Sequence, residues 1–458
     1  MSTNFNGLFW ALLLFGTGSF AQESIPLKKL LEIAQDNYPS IQAAKLRTQA
    51  AISNARASEQ TLIPDITASY QANYSTYNNL TGMFYPEFVL PVSGPPSMDN
   101  SSEMVFGSAA SLLLKWEAFT FGRRANAIKA AKSHVGEKTG ELDLTTFKHQ
   151  VNLTDTYLNF LLANEVLKSL QSNLERSKIN YEQSVRLAQN GLIAGVDTAR
   201  FQSAFSNAKI QTLNQKRRLH ELKNQLQLYI ASELPEDLSD ENFFRSLPGF
   251  DMDTPVFDHP KAQLAQSEWQ TAQYQYKTSQ KRGMPSLSLW GTVNGRGSGV
   301  EIDANGNLFV EDVVRGFDIN RFNYGIGLQL SIPITQQFRY HSKSKVLKYQ
   351  ADALEEEFKE IRLELKQQQN TADSTLQTAI LVARELPTQY KNAQFSYAAL
   401  KTQYASGLVN FTELAEAQHE LVATEINHRK AFLEVWKALL YKAAVYGNLE
   451  IFLNELNK

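Results

Sequence analysis

Two stretches of this chain carry the same punctuation. In DNYPSIQAAKLRTQAAISNARASEQTLIPDITASY, residues 36–70, Pro39 and Pro64 stand 25 residues apart; in FDHPKAQLAQSEWQTAQYQYKTSQKRGMPSLSLW, residues 257–290, Pro260 and Pro285 keep that spacing. AFTFGRRANA (118–127) aligns with PITQQFRYHS (333–342), placing Arg124 opposite Arg339. Tyr181 and Gly191 correspond to Tyr397 and Gly407, each pair ten residues apart. Every marker follows its partner by 215 to 221 residues and in one order, so the chain contains a duplicated unit. Duplication constrains the fold strongly, because each half must form the same elements and the two copies must complete one another.

Within each half the hydrophobic period changes twice. Residues 26–61 are rich in Ala, Gln, Leu and Lys, which predicts one helix of about 50 Å that Pro64 stops. From Ile66 the pattern alternates: Ile66, Ala68, Tyr70, Ala72 and Tyr74 share one face, and Thr67, Ser69, Gln71, Asn73 and Ser75 the other. After Pro285, Leu287, Leu289 and Val293 alternate with Ser286, Ser288, Thr292 and Asn294. Return strands follow, the second with Tyr324, Ile326, Leu328, Leu330 and Ile332 on one face; the first is blurred by LLLKW. Four two-faced strands are expected at about 65–76, 104–117, 286–297 and 322–334. The segments 76–102 and 298–321 that join them are long and turn-rich.

Each strand pair leads into a long helical run, about 123–190 and 336–406, on the order of 100 Å of helix apiece. Leu167, Leu170, Leu174, Ser177, Tyr181 and Ser184 step by three and four, as do Leu354, Phe358, Ile361 and Leu365, a spacing that predicts coiled-coil packing. Both runs end at a Gly-Leu pair and return as helices over about 196–231 and 411–446. Hairpin tips are therefore expected near 188–197 and 404–413. The acidic, Pro-containing segment 232–255 reads as a connector between a first repeat, 22–231, and a second, 256–447, with 448–458 as a C-terminal segment.

The formal net charge of -2 gives no general affinity for nucleic acid. The absence of cysteine removes disulfides, thiolate metal sites and Cys nucleophiles, and suits an oxidising exterior compartment. MSTNFNGLFWALLLFGTGSFAQES has an apolar run from Leu8 to Phe15 and a small-residue exit, Ser19-Phe20-Ala21, so residues 1–21 read as a signal peptide cleaved before Gln22. Beyond Ala21 no run approaches the ~18 to 20 apolar residues of a spanning helix, so membrane insertion must use strands.

The NYP…IPDITASY opening, the FTFGRR start of the long helix, the two tips and the duplication over about 25–455 resemble the TolC family of outer-membrane efflux and secretion ducts. The resemblance implies a mainly α fold with a small β part. Long coiled-coil-like helices form a periplasmic tunnel, and four transmembrane strands per protomer complete a 12-stranded barrel in a homotrimer. Four strands alone cannot close a channel, since single-chain barrels begin at about eight. It also implies a periplasmic adaptor protein and an inner-membrane pump as partners, contact with outer-membrane lipid, passive passage of cargo, and neither enzymatic activity nor a cofactor.

Site residues carry over by spacing. Relative to Gly407, the family's acidic gate positions fall at Glu413 and Glu416 and its Tyr at Tyr404; relative to Gly191, Asp197 matches the first acid and Arg200 replaces the second. Where gates of the family carry a basic residue two after the Gly, this chain has Val409. From the residues alone, Glu413 and Glu416 also suit an ordinary helix N-terminus, where carboxylates oppose the dipole. Gly191, Leu192, Gly407 and Leu408 would meet the adaptor's hairpins; turn chemistry alone would also place the glycines.

Other signals are weaker. GRGSGV near 295–300 precedes no helix and is not a phosphate loop. No HExxH occurs, and His220-Glu221 and His419-Glu420 point to different faces of their helices. Trp116 and Trp290 are candidates for an interfacial aromatic belt, and Arg123-Arg124 for an anchor just below the barrel. An exported coiled-coil scaffold or adhesin without a pore is the alternative; it would have no use for four two-faced strands.

Overall fold

A computed structural model describes residues 27–76, 78, 100–234, 238, 242–245, 247–248, 258–302, 304, 308–310 and 313–456. The expected signal peptide, nearly all of segment 76–102 and most of the connector lie outside them. In chain order the elements are α1 (Leu27–Asn37), α2 (Pro39–Gln60), β1 (Asp65–Thr76), β2 (Met104–Phe119), α3 (Arg123–Gln189), α4 (Gly195–Ile230), α5 (Asn242–Arg245), α6 (Pro260–Gln280), β3 (Ser286–Ser298), β4 (Val300–Ile302), β5 (Leu308–Val310), β6 (Arg321–Ser331), α7 (Gln336–Ala405), α8 (Phe411–Tyr446) and α9 (Glu450–Leu456). None of these helices is long and apolar enough to cross a membrane.

The single helix expected over 26–61 is two helices, broken at Tyr38. Pro39 is the cause: it has no N–H to give the preceding turn, and it disfavours helical backbone in the residue before it. Segment 298–321 is not all loop. It holds the short hairpin β4–β5 and a 3-10 turn over Val313–Phe317.

Two compact units emerge: the described residues within 1–45, 142–260 and 362–458 form one, and those within 46–141 and 261–361 the other. Each draws on both sequence repeats. The second unit carries a four-stranded antiparallel sheet in the order β1-β2-β3-β6, so the two copies of the strand pair meet at β2 and β3. Register puts Ile66, Leu114, Gly291 and Ile326 in one cross-strand row and Ala68, Leu112, Val293 and Tyr324 in the next. This apolar face lies open, with Tyr324 90% and Ile326 78% exposed. The opposite face is polar, and Ser69 and Ser111 hydrogen-bond across it at 2.7 Å. Among the described residues, β1 and β6 each pair on one side only.

The blurred LLLKW of β2 has a cause in the register. Leu112 and Leu114 join the apolar face while Leu113 pairs with Thr67 and Thr292 on the other, and a bulge follows between Trp116 and Phe119. Trp116 pairs with Leu289, and Trp290 with Lys115, which puts the two tryptophans on opposite faces. One belt cannot hold both. Trp116 Nε1 donates to the Leu62 carbonyl at 2.9 Å, and Trp290 lies against Gly327, where a Cβ would clash with the indole. Gly297 and Gly316 serve a close approach: the 3-10 turn folds onto the apolar face, where Ser108 Oγ donates to the Gly316 carbonyl at 2.6 Å. A Cβ on Gly316 would overlap the Phe106 carbonyl.

FTFGRR makes the turn from β2 into α3. Thr120 accepts from Arg124 N through its hydroxyl at 3.1 Å and from Arg123 N through its carbonyl at 3.0 Å, as a helix cap does. Phe121 and Gly122 take left-handed backbone, with φ of 49° and 88°. Arg123 binds the Glu117 carboxylate at 2.5 Å, and Arg124 binds both the Glu117 carbonyl and its carboxylate. In the second repeat Ile332 stands where Glu117 would, and Arg339 is exposed. The second repeat has the arginine but not the acid.

In the first unit the core is mostly leucine and alanine, with the rings of Phe243, Trp436 and Phe452 among them. Phe243 packs edge-on against Trp436 at 5.0 Å between ring centres, and Phe452 against Trp436 at 5.7 Å, which fastens α5 and α9 onto α8. α8 ends at Gly447, φ 73°, where a Cβ would meet His259 and Pro260.

Candidate functional site at the helix tips

α3 and α7 end in the same way. Leu192 N donates to Leu187 O at 2.9 Å and Gly191 N to Ala188 O at 3.0 Å; Leu408 N donates to Gln403 O at 2.9 Å and Gly407 N to Tyr404 O at 3.0 Å. This pair of bonds is the Schellman closure, which needs a left-handed residue just past the helix. Gly191 and Gly407 supply it, with φ of 69° and 70°. None of the described residues comes within 4 Å of a Cβ built on either, so backbone conformation and not crowding demands glycine. The residue after such a glycine often folds back onto the last turn. Here Leu192 and Leu408 stay 68% and 76% exposed.

The return helices start differently. At α8 the Asn410 side chain accepts from Glu413 N at 3.1 Å and donates to Glu413 Oε1 at 3.0 Å, a reciprocal cap. At α4, Ala194 offers no side-chain cap, and Asp197 N bonds the Ala194 carbonyl at 3.0 Å. Arg200 stands 3.7 Å from the Asp197 carboxylate and 5.9 Å above the Phe411 ring, so it links the start of α4 to the start of α8.

Tyr404 sits among these groups. Its ring meets Phe201 edge-on at 5.8 Å, and Phe201 meets Phe411 at 4.5 Å over buried Leu414 and Leu421. The Tyr404 hydroxyl is buried without a hydrogen-bond partner among the described residues. Burial first, and the nearby Asp197 charge second, hold its phenol above the ordinary value.

Further along, a polar ladder joins α3 to α8. Gln418 donates to Asn173 Oδ1 at 3.0 Å and to Ser177 Oγ at 2.9 Å, and accepts from Asn180 at 3.0 Å. A cleft of about 520 Å³ opens beside it between α3, α4 and α8, with Asn207, Gln211 and His419 on its walls. Beyond lie Arg176–Glu425 at 3.3 Å and Arg429–Glu165 at 2.5 Å.

The structure thus brings Tyr404 and Asp197 together. Glu413 and Glu416 lie exposed on α8, Glu413 engaged in the cap and Glu416 without a hydrogen bond or ion pair among the described residues. The sequence reading missed Arg200 as the counter-charge of Asp197, although their spacing of three on a helix offered the signal. It also missed the Gln418 ladder, whose members are some 240 residues apart and give no local sign. Among the described residues no group of His and carboxylates is placed to hold a metal ion.

A family model described as outer membrane efflux protein matches residues 30–232 and 259–440. Among solved structures, the outer membrane protein VceC of Vibrio cholerae is similar at TM-score 0.76 and 13% identity, over 92% of this chain and 96% of that one. The CmeC outer membrane channel of Campylobacter jejuni matches at 0.73 and 15%, over 98% and 94%. The MtrE outer membrane channel of Neisseria gonorrhoeae, in its open state, matches at 0.72 and 17%, over 92% and 89%. A sequence comparison with curated proteins gives no match.

Proposed function

Because the chain belongs to the outer membrane efflux protein family, we propose that it is the exit duct of a tripartite efflux pump or type I secretion system. The observation that carries this is the four-stranded sheet, which has an exposed apolar face, a polar face and, among the described residues, two unpaired edges, β1 and β6. In hydrocarbon an open edge is untenable, so such a sheet must close with copies of itself. Three copies give twelve strands, apolar outside and polar within, in the outer membrane. The helical hairpins then form the periplasmic extension, and cargo passes without chemistry. A coiled-coil scaffold without a pore leaves the apolar sheet face unexplained.

In this reading the exposed Leu192 and Leu408, presented by Gly191 and Gly407, meet a periplasmic adaptor protein that brings an inner-membrane pump. Glu413, Glu416, Tyr404 and Asp197 form an acidic gate, in which threefold symmetry makes rings of carboxylates that favour cations. The unpartnered Glu416 is the freest to face a passing ion. Purified from membranes in detergent, the protein should run as a heat-modifiable trimer and conduct ions in planar bilayers. A water-soluble monomer without conductance would refute the duct.

A further inference from the structure

The four sheet strands contain two carboxylates, Asp65 and Glu117, and both stand at the helix-side end. Lys115 lies opposite Asp65 in the register, and Glu117 is taken by Arg123 and Arg124. The other two strand charges are Arg296 and Arg321. They are direct cross-strand partners at the far end of β3 and β6, on the polar face, and both are exposed. Two like charges set opposite each other weaken a strand pair. Their row continues through Ala109 and Gln71, and the next row toward the helices is Ser69, Ser111, Asn294 and Asn323, all uncharged hydrogen-bond donors. Among the described residues of the strands no acid answers either arginine.

We propose that Arg296 and Arg321 form an anion-binding band inside the duct near its outer mouth, which selects solutes bearing phosphate, sulfate or carboxylate groups. The inference rests on the duct reading, because only closure turns the polar face into a lumen. Twelve strands about 4.8 Å apart and tilted by about 40° enclose a barrel roughly 24 Å across between backbones. Arginine side chains reaching in by about 6 to 7 Å from each side leave an opening of roughly 10 Å. A solute on the axis is then within about one Debye length, ~8 Å, of six guanidinium groups. Walls of one sign in a narrow lumen focus the potential, and the planar fork of arginine pairs bidentately with oxyanions. A solute crossing the proposed duct would therefore meet acids at the tips and arginines at the mouth.

The test uses the full chain in planar bilayers with inorganic tripolyphosphate added to each side in turn. Wild-type channels should be blocked, more weakly as salt rises, and the double variant R296Q/R321Q should need about tenfold more tripolyphosphate for half-block. Either single variant should fall between. Wild-type channels that conduct but are not blocked from either side, or a double variant blocked as readily as wild type, would overturn the anion band alone. Absence of any conductance would overturn the duct, and the band with it.

Discussion

Asn410 and Glu413 hold one another at the start of α8, with amide donating to carboxylate at 3.0 Å and backbone N–H to amide oxygen at 3.1 Å. The carboxylate nominated for a gate therefore also closes a helix. Glu413→Ala should lower stability by about 0.5 kcal/mol, because Asn410 still accepts from the backbone N–H of residue 413 and only the exposed side-chain bond is lost, and Glu413→Gln by less, because the amide keeps an acceptor. Glu416→Gln, with no partner to lose, should stay within about 0.5 kcal/mol of wild type in denaturant unfolding. The double variant E413Q/E416Q should lose cation preference in single-channel recordings. Retention of that preference would remove the acidic gate.

The tip leucines offer a cleaner separation of folding from docking. Leu192→Asp with Leu408→Asp touches two side chains already in water, so secondary structure and melting should not change. Drug resistance conferred by the complete pump in cells should nonetheless fall at equal protein level. Gly407→Ala should do the reverse: forcing φ of 70° on an L-residue costs about 1 kcal/mol, while leaving Leu408 in place. Undiminished resistance in the double aspartate variant would remove the adaptor site.

His149 should make the protein acid-sensitive. It is 5% exposed, stacks on Tyr38 at 3.9 Å and meets Tyr229 edge-on at 5.6 Å. Burial pulls its pKa below the ordinary value, partly offset by a hydrogen bond to the Tyr229 backbone. The unfolded imidazole takes a proton near pH 6.5 while the folded one still resists, so stability falls as pH drops below about 6.5 toward the folded pKa. His428, lowered by burial and by Arg429, adds to the same trend. Thermal midpoints between about pH 7.5 and 5.5 should drop less steeply in His149→Phe than in wild type. Equal slopes would refute the assignment.

Lys442 is 2% exposed and pairs with Asp373 at 3.1 Å, while Tyr446 donates to the same carboxylate at 2.9 Å. Burial, and then that hydrogen bond, push the Tyr446 phenol up to about 12. Asp373→Asn removes a counter-charge of a buried ammonium. The expected loss is about 2 kcal/mol, below the figure for a wholly buried pair because the Asp373 side chain is 41% exposed. Lys442→Met should cost less than Asp373→Asn in equilibrium unfolding, since it removes the buried charge and leaves Asp373, 41% exposed, to be solvated by water. The opposite order would contradict this account.

Much of the architecture was legible because short-range physics fixes it. Alternation placed the strands, and Pro64, Gly191 and Gly407 marked the ends of helices as their missing N–H or positive φ requires. Pro39 was in plain view as a repeat marker, yet its power to break a helix went unread. LLLKW looked irregular because Leu113 takes the polar face and a bulge follows Trp116, both set by strands distant in sequence. For the candidate site, the family's spacing nominated Tyr404, Asp197, Glu413 and Glu416. It did not show that Asn410 holds Glu413, that Arg200 answers Asp197, or that Gln418 joins α3 to α8. The last of these depends on helices far apart in the chain, which no local pattern records.

The meeting of β2 with β3 also sets an order of assembly. Trp116 and Leu289 face each other across the seam of the two inner strands, yet one leaves the ribosome about 170 residues after the other. A nascent first repeat thus carries an apolar hairpin with no neighbour for its inner edge, and supplies only part of each compact unit. Such a species invites edge-to-edge aggregation. The repeats are copies in the gene but not independent folding units, and a chain halted at the connector would be a burden for chaperones and proteases instead of a half-sized channel.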